Sequence, residues 1–262
     1  MHTNKEKGFP TAFYGKHPEL ISAAILAYRG SFVHGTYVPK DNPDSIDDID
    51  VMGICIPPIS HYFGLGTFGS KGTVEIMDGE WDIVLYEYIK AIRLLMKGNP
   101  NILQMLWLEP QFYIRVNSIG QLLLDNRDLF SAKNAYHAYI GYAHGQFHRM
   151  THAACKGYMG AKRKELVDRF GYDCKNATHL IRLLRMGIEF LTEGRLYPTR
   201  PDAAQLKEIK RGEWSLEKVK KEADELFRQA NEAYIRSPLP MSVDKDKVND
   251  LCVIMGIRAM EV

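Results

Sequence analysis

The strongest constraint on the fold is a change of hydrophobic pattern near residue 115 of this 262-residue chain. Before that point, short apolar runs alternate with turns rich in Gly, Pro and Asp, which is typical of a mixed α/β domain. After it, apolar residues recur at helical spacing almost throughout. The pattern therefore predicts an α+β chain with two domains, an α/β domain over residues 1–115 and an all-α domain over residues 116–262.

The secondary structure can be predicted in more detail from apolar runs and from Gly and Pro punctuation. The predicted strands are 23–28, Ile49–Ile56 and Trp81–Leu85. In the first domain, helices are predicted from about His17, from about Tyr86 to Lys97, and from Pro100 through Trp107 after an Asn99 cap. In the second domain, the predicted helices are 119–125, 132–158, 175–192, 202–210 and 216–236.

Composition and charge exclude several classes of protein. The formal net charge of +2 gives no overall field that would attract nucleic acid, so any basic surface must be local. The four cysteines are far apart and form no CxxC pair, which predicts reduced thiols and no zinc site. The N-terminus has no apolar segment of the signal-peptide kind and no stretch has the length of a membrane span, so we expect a cytoplasmic protein.

Three aspartates in or beside predicted strands form the most informative pattern. In the run Asp48-Ile49-Asp50-Val51, side chains alternate between the two faces, so Asp48 and Asp50 share one face while their apolar neighbours enter the core. Asp82 lies in a third apolar run and is predicted to reach the same face. Such like charges repel unless a cation lies between them, and carboxylate oxygens suit Mg²⁺ or Mn²⁺. The alternative for a DxD alone is a solvated turn.

Two further groups of residues suit phosphate binding. Gly30-Ser31 follows the first predicted strand and offers backbone N–H groups and a hydroxyl, and the turn at Gly35-Thr36 can add an anion nest. Lys175, His179 and Arg182 are spaced i, i+4, i+7 on a predicted helix and form a basic stripe with an apolar back. A solvated helix face is the alternative for this stripe.

Three other features favour ordinary structural roles. His144, His148 and His152 recur at four-residue spacing, but they have no nearby carboxylate and are predicted to lie on a surface or interface. The basic segment Lys156–Lys164 is either a solvated loop or a phosphate contact. The turn 97–101 is chiefly the end of one helix and the start of the next, with a substrate contact as the alternative.

Taken together, these residues resemble the DNA-polymerase-β-like nucleotidyltransferases, whose signature is a hydrophobic-Gly-Ser turn, a DxD and a later strand aspartate. More narrowly, the chain resembles the predicted nucleotidyltransferases associated with RNA ligases and RNA repair. The segments that carry this resemblance are Gly30-Ser31 with 35–37, 48–57, 82–86, 97–101 and 175–194. In one departure, Asp47 stands directly before the DxD where the family commonly has Ser. Asp47 is then either a further metal ligand or a solvent-facing acid, and the acid assignment among Asp47, Asp48 and Asp50 stays open by one residue, with alternation favouring Asp48 and Asp50.

The resemblance implies a polymerase-β-like palm followed by a helical domain, and Mg²⁺-dependent transfer of a nucleoside monophosphate from an NTP, with ATP favoured. Asp48, Asp50 and Asp82 would then be the catalytic ligands of two Mg²⁺ or Mn²⁺ ions. Gly30, Ser31 and Thr36, with the basic stripe, would bind the nucleotide. The favoured acceptor is a hydroxyl at an RNA or tRNA end. A protein or small-molecule acceptor, or a non-catalytic nucleotide- or RNA-binding module, remains the alternative.

Overall fold

The structure, a computed structural model, describes residues 8–39, 45, 47–152 and 161–261. Its centre is a five-stranded sheet in the order β3-β4-β2-β1-β5, in which β2 and β4 run parallel and the other neighbours are antiparallel. The strands are β1 Ala23–Tyr28, β2 Ile49–Cys55, β3 Thr73–Asp78, β4 Trp81–Glu87 and β5 Tyr113–Val116. The two central strands β1 and β2 are almost wholly buried, since the sheet is covered by helices.

The helices fall into two groups along the chain, mostly short helices up to just beyond β5 and mostly longer helices after that point. The α-helices up to β5 and just beyond are α1 Phe13–Lys16, α2 Gly30–Val33, α3 Ile59–Phe63, α4 Tyr88–Met96, α5 Pro100–Leu103 and α6 Ser118–Asp125. The later ones are α7 Ala135–His152, α8 Ala161–Phe170, α9 Cys174–Glu193, α10 Ala203–Lys210, α11 Leu216–Arg236 and α12 Lys245–Met260. The described residues also form 3₁₀ turns at Pro18–Ser22, Gln104–Trp107, Pro110–Phe112 and Arg127–Phe130.

The predicted α+β fold class is confirmed, as are the three predicted strands and most of the predicted helices. Two strands were missed because each lies at an edge of the sheet: β3 is half polar, and β5 has only four residues, all partly exposed. The helix predicted near His17 is a single 3₁₀ turn. Residues 153–158 of the predicted 132–158 helix lie outside the described residues.

The first residues of helices α4 and α5 are fixed by side chains that cap their N-termini. The helix predicted from about Tyr86 begins at Tyr88 instead, because Tyr86 and Glu87 continue β4. The Glu87 carboxylate then caps the helix by accepting hydrogen bonds from the Ile89 and Lys90 amides at 2.8 and 2.9 Å. The predicted Asn99 cap is observed, with Asn99 Oδ1 accepting from the Asn101 amide at 3.0 Å. The α-helix that follows ends at Leu103, and a 3₁₀ turn continues the path to Trp107.

The described residues form two hydrophobic clusters. The larger one includes the sheet and the helices on it, and the smaller lies among α7, α9, α10 and α11. Helix α12, which the sequence did not predict, returns from the C-terminal half and packs on α4 and α6 through Val248, Leu251 and Met255. The division into 1–115 and 116–262 stays a prediction, since α6 and α12 belong with the sheet cluster although they follow residue 115. Across the described part of the chain, no helix combines the length and apolarity needed to cross a membrane.

Candidate active site

The register between two parallel strands brings the predicted acids together. Strand β2 pairs with β4 so that Asp50 and Asp82 are direct Cα partners. Ile49 and Val51, on either side of Asp50, are fully buried, so Asp50 faces away from the core, as strand alternation requires. Asp48 precedes the strand and lines the same pocket of about 150 Å³ as Asp50 and Asp82. The three carboxylates predicted from the sequence therefore share one site.

The Gly30-Ser31 segment forms one wall of this pocket, in a conformation that only glycine suits. Gly30 has a φ of 67°, and a Cβ placed there would lie 2.1 Å from Asp50 Oδ2. The Asp50 carboxylate thus lies directly against the Gly30 backbone. The sequence predicted a turn here, whereas the structure shows the single helical turn α2, after which the Thr36 amide donates to the Ser31 carbonyl at 2.9 Å. Ser31 and Thr36 both line the pocket.

Arg29, which sequence reasoning missed, pairs with two of the acids. Its Nη2 lies 3.6 Å from Asp50 Oδ1 and 3.4 Å from Asp82 Oδ2. The one sequence signal that pointed to it was its position next to Gly30. The guanidinium thus gives two neighbouring carboxylates a shared positive partner.

Burial changes the protonation of Asp50. Removal from water raises the pKa of this carboxyl to about 6, with the Arg29 charge opposing that rise and the Asp82 charge adding to it. A carboxylate in this environment is costly to ionise in the free protein, and a further cation beside it would lower that cost.

The donor set fits a hard divalent cation in its chemistry. The acids offer only carboxylate oxygens, the ligands that Mg²⁺ and Mn²⁺ prefer, and Asp50 with Asp82 already shares one cationic partner. As arranged, however, no three His, Cys, Asp or Glu side chains among the described residues are grouped closely enough to hold a metal ion together. A metal bound here would need the carboxylates to turn toward it, so the metal assignment stays a proposal.

The basic stripe of α9 lies across the pocket from the acids. Lys175, His179 and Arg182 all line it, as does Thr178 from the same helix. Arg182 is only 7% exposed, and its Nη1 contacts Met186 Sδ at 3.2 Å but no carboxylate among the described residues. Burial lowers the pKa of Arg182 to about 10. The predicted stripe therefore faces the site and not solvent, and it includes a buried cation without an anionic partner in the described chain.

Two histidines at the pocket are held neutral. Burial, reinforced by the Arg182 charge, lowers the pKa of both His34 and His179 well below the ordinary value. His34 Nδ1 donates to the Pro198 carbonyl at 2.8 Å, which fixes this ring between the α2 segment and the chain before α10. His34 was not predicted from the sequence, because a lone histidine after an apolar run has no distinguishing spacing.

Asp47, left open as a further metal ligand, is tied to the helical half. It is 2% exposed, and its Oδ2 accepts from the Val38 amide at 2.9 Å and forms an ion pair with Lys210 Nζ. Lys210 also donates to the Thr36 carbonyl at 2.9 Å. This buried pair joins α10 to the segment that leads into Asp48, which is a positioning role that the sequence did not reveal.

We expect Lys210→Ala to destabilise the protein by about 3 kcal/mol, because it leaves the Asp47 carboxylate buried without its partner. Urea denaturation measures this loss. Lys207→Ala on the same helix, where no ion pair is found with a described residue, is the control and should change stability little. Adding Asp47→Asn to Lys210→Ala should recover part of the loss, and a double variant as unstable as the single one would contradict this account.

The other sequence candidates lie outside the pocket. His144 is exposed and stacks on Phe227 with ring centroids 4.3 Å apart, and His148 is exposed, as predicted for a surface or interface. The side chain of His152 lies outside the described residues, as do residues 156–160 of the basic segment Lys156–Lys164. The turn 97–101 contributes no residue to the pocket lining and serves as a helix end and start.

The fold and the site define a class of protein. A mixed sheet carrying paired aspartates beside a Gly-Ser segment, with a helical half facing it, is the arrangement of a polymerase-β-like nucleotidyltransferase palm. A comparison with protein families matches residues 29–238 to the RNA repair pathway DNA polymerase beta family, and the chain belongs to that family. A comparison with curated proteins gives no match.

Proposed function

We propose that the protein transfers a nucleoside monophosphate from an NTP, ATP being the first candidate, to a hydroxyl at an RNA or tRNA end. The observation that carries this proposal is the pairing of opposite charges across one pocket. Asp48, Asp50 and Asp82 line one side, and Lys175 and Arg182 line the other without a carboxylate partner among the described residues. A triphosphate bound to a divalent cation suits both sides of the pocket. Its phosphate oxygens can bind Lys175 and Arg182, and its metal ion can bind the three carboxylates.

Each residue then has a defined task. Asp48, Asp50 and Asp82 would hold two Mg²⁺ or Mn²⁺ ions. These ions, when bound, would stabilise the negative charge that develops during phosphoryl transfer. Arg182 and Lys175 bind the triphosphate oxygens, with the neutral His179 ring and Ser31 adding hydrogen bonds. No side chain forms a covalent intermediate, and the rate comes from positioning and electrostatics.

Family membership supports RNA as the acceptor, since the family is described by an RNA repair pathway. No residue of the pocket distinguishes an RNA hydroxyl from one on a protein or a small molecule, so these remain the competing acceptors. A non-catalytic nucleotide- or RNA-binding module is disfavoured, because such a module gains nothing from keeping three carboxylates in one pocket.

The decisive experiment incubates the protein with each of the four α-labelled NTPs and Mg²⁺, together with RNA, protein or small metabolites in separate reactions. Label on RNA ends, absent with Asp48→Asn, is the expected result. Label found only on protein or on a metabolite would show that this molecule, and not RNA, is the acceptor. Nucleotide binding without transfer to RNA, protein or metabolites would indicate a non-catalytic nucleotide-binding module.

A further inference from the structure

Arg29 has an unusual position among the acids. Its guanidinium reaches both Asp50 and Asp82, at 3.6 and 3.4 Å, through one nitrogen, Nη2. The two acids are direct partners across the parallel strands, so their carboxylates lie where one cation can meet both. Arg29 does not itself line the pocket, so its guanidinium meets the two carboxylates beside the cavity, at an oxygen of each acid that a cation bound by the pair would share.

The side chain is held there more by charge than by hydrogen bonds. Both contacts are at or beyond the upper end of hydrogen-bond distances, and neither is the paired, two-nitrogen contact that makes arginine–carboxylate bonds strong. Its Nε is buried and has no hydrogen-bond partner in the described part of the chain. The backbone is anchored separately, with the Arg29 amide donating to the Asp50 carbonyl at 2.9 Å. The guanidinium can therefore move while the strand end keeps its place.

From these contacts we propose that Arg29 is a resident counter-ion of the Asp50–Asp82 pair, which competes with the divalent cation and so sets the affinity of the site for metal. The inference rests on the proposed function, in which these two acids are metal ligands. Without metal, the guanidinium offsets the repulsion between the carboxylates. When metal binds, two cations face the same oxygens, so the guanidinium moves away and its lost attraction weakens metal binding.

The test is a titration of nucleotide-free protein with Mn²⁺, with free Mn²⁺ followed by electron paramagnetic resonance. Arg29→Ala should bind Mn²⁺ about tenfold more tightly than the unaltered protein, since the competing charge is gone. Arg29→Lys keeps a positive charge and should show a smaller gain. Arg258→Ala removes an exposed arginine of α12, far along the chain and outside the pocket, and should leave the affinity unchanged.

A double variant locates the effect at the acid pair. Adding Asp82→Asn to Arg29→Ala should cancel the gain in Mn²⁺ affinity, because a ligand is lost along with the competitor. Arg29→Gln, which keeps much of the side-chain volume, serves in place of Arg29→Ala if circular dichroism shows that the alanine variant is unfolded.

The outcomes separate this inference from the proposed function. Mn²⁺ affinity that is unchanged or weaker in the Arg29 variants overturns the inference and makes Arg29 a residue that only orients the acids. The same holds if neither the unaltered protein nor the variants bind Mn²⁺. Tighter Mn²⁺ binding in a protein that transfers no nucleotide would uphold the inference and reject the proposed reaction.

Discussion

Asp50→Asn is expected to lower nucleotidyl transfer by about a thousandfold or more while the fold remains intact. The Asp50 carboxylate lies against the Gly30 backbone and opposite Asp82, and in the proposed reaction it is a ligand of the divalent cation. Asparagine keeps the shape and removes the charge. Asp48→Asn should have a similar effect, and turnover near that of the unaltered protein in either variant would reject the metal assignment.

The same substitution should stabilise the protein in EDTA at neutral pH. The folded-state pKa of Asp50 is about 6 against an ordinary 3.8, so the folded state binds more protons and its stability falls as pH rises through that window. Removing the carboxyl avoids this loss, a gain of about 2–3 kcal/mol at pH 7.5. The gain should shrink as the pH falls through 6 toward 4.

Urea denaturation at pH 7.5 and pH 4.5, both in EDTA, measures this effect. The control is Glu75→Gln, which removes an exposed carboxylate from β3 outside the pocket and should change neither stability nor activity. A residue that served only the fold would lose stability on substitution. A less stable Asp50→Asn protein at pH 7.5 would therefore contradict a functional role for the carboxylate.

Replacing Lys175 by Ala and Arg182 by Met together should weaken NTP affinity by about 3 kcal/mol or more, which is at least a hundredfold. Charge-assisted hydrogen bonds to phosphate contribute roughly 1.5–3 kcal/mol each, and two are removed. Methionine at position 182 fills most of the space of the buried arginine. The Arg182 guanidinium is buried, and among the described residues its one hydrogen bond goes to the weak acceptor Met186 Sδ, so the free protein should not become less stable.

Calorimetric titration of a non-hydrolysable NTP with Mg²⁺ measures the affinity, and Lys207→Ala serves as a control for loss of a cation outside the pocket. Unchanged NTP affinity with weaker binding of the acceptor would assign the stripe to the acceptor path. No change in either would show that the two cations have another role.

Local sequence patterns were sufficient to predict the direction of a side chain where that direction depends only on residues nearby in the chain. Alternation along 48–51 predicted that Asp50 faces away from the core, and the i, i+4, i+7 spacing predicted that Lys175, His179 and Arg182 share a helix face. Both are observed. The apolar runs predicted β1, β2 and β4 because each of these strands has a buried residue at least at every second position. The edge strands β3 and β5, whose residues are mostly or all partly exposed, carry no such signal.

The sequence by itself thus determined the α+β fold class, the central strands and which side chains share a strand or helix face, because these follow from periodicity between near neighbours. The tertiary structure alone decided that Asp50 is the direct partner of Asp82, that Arg29 lies between them, and that Asp47 pairs with Lys210, 163 residues away. It also decided that α12 returns to the sheet. These depend on strand register and on packing between distant segments, where many partners satisfy the same local pattern and only the assembled core selects one.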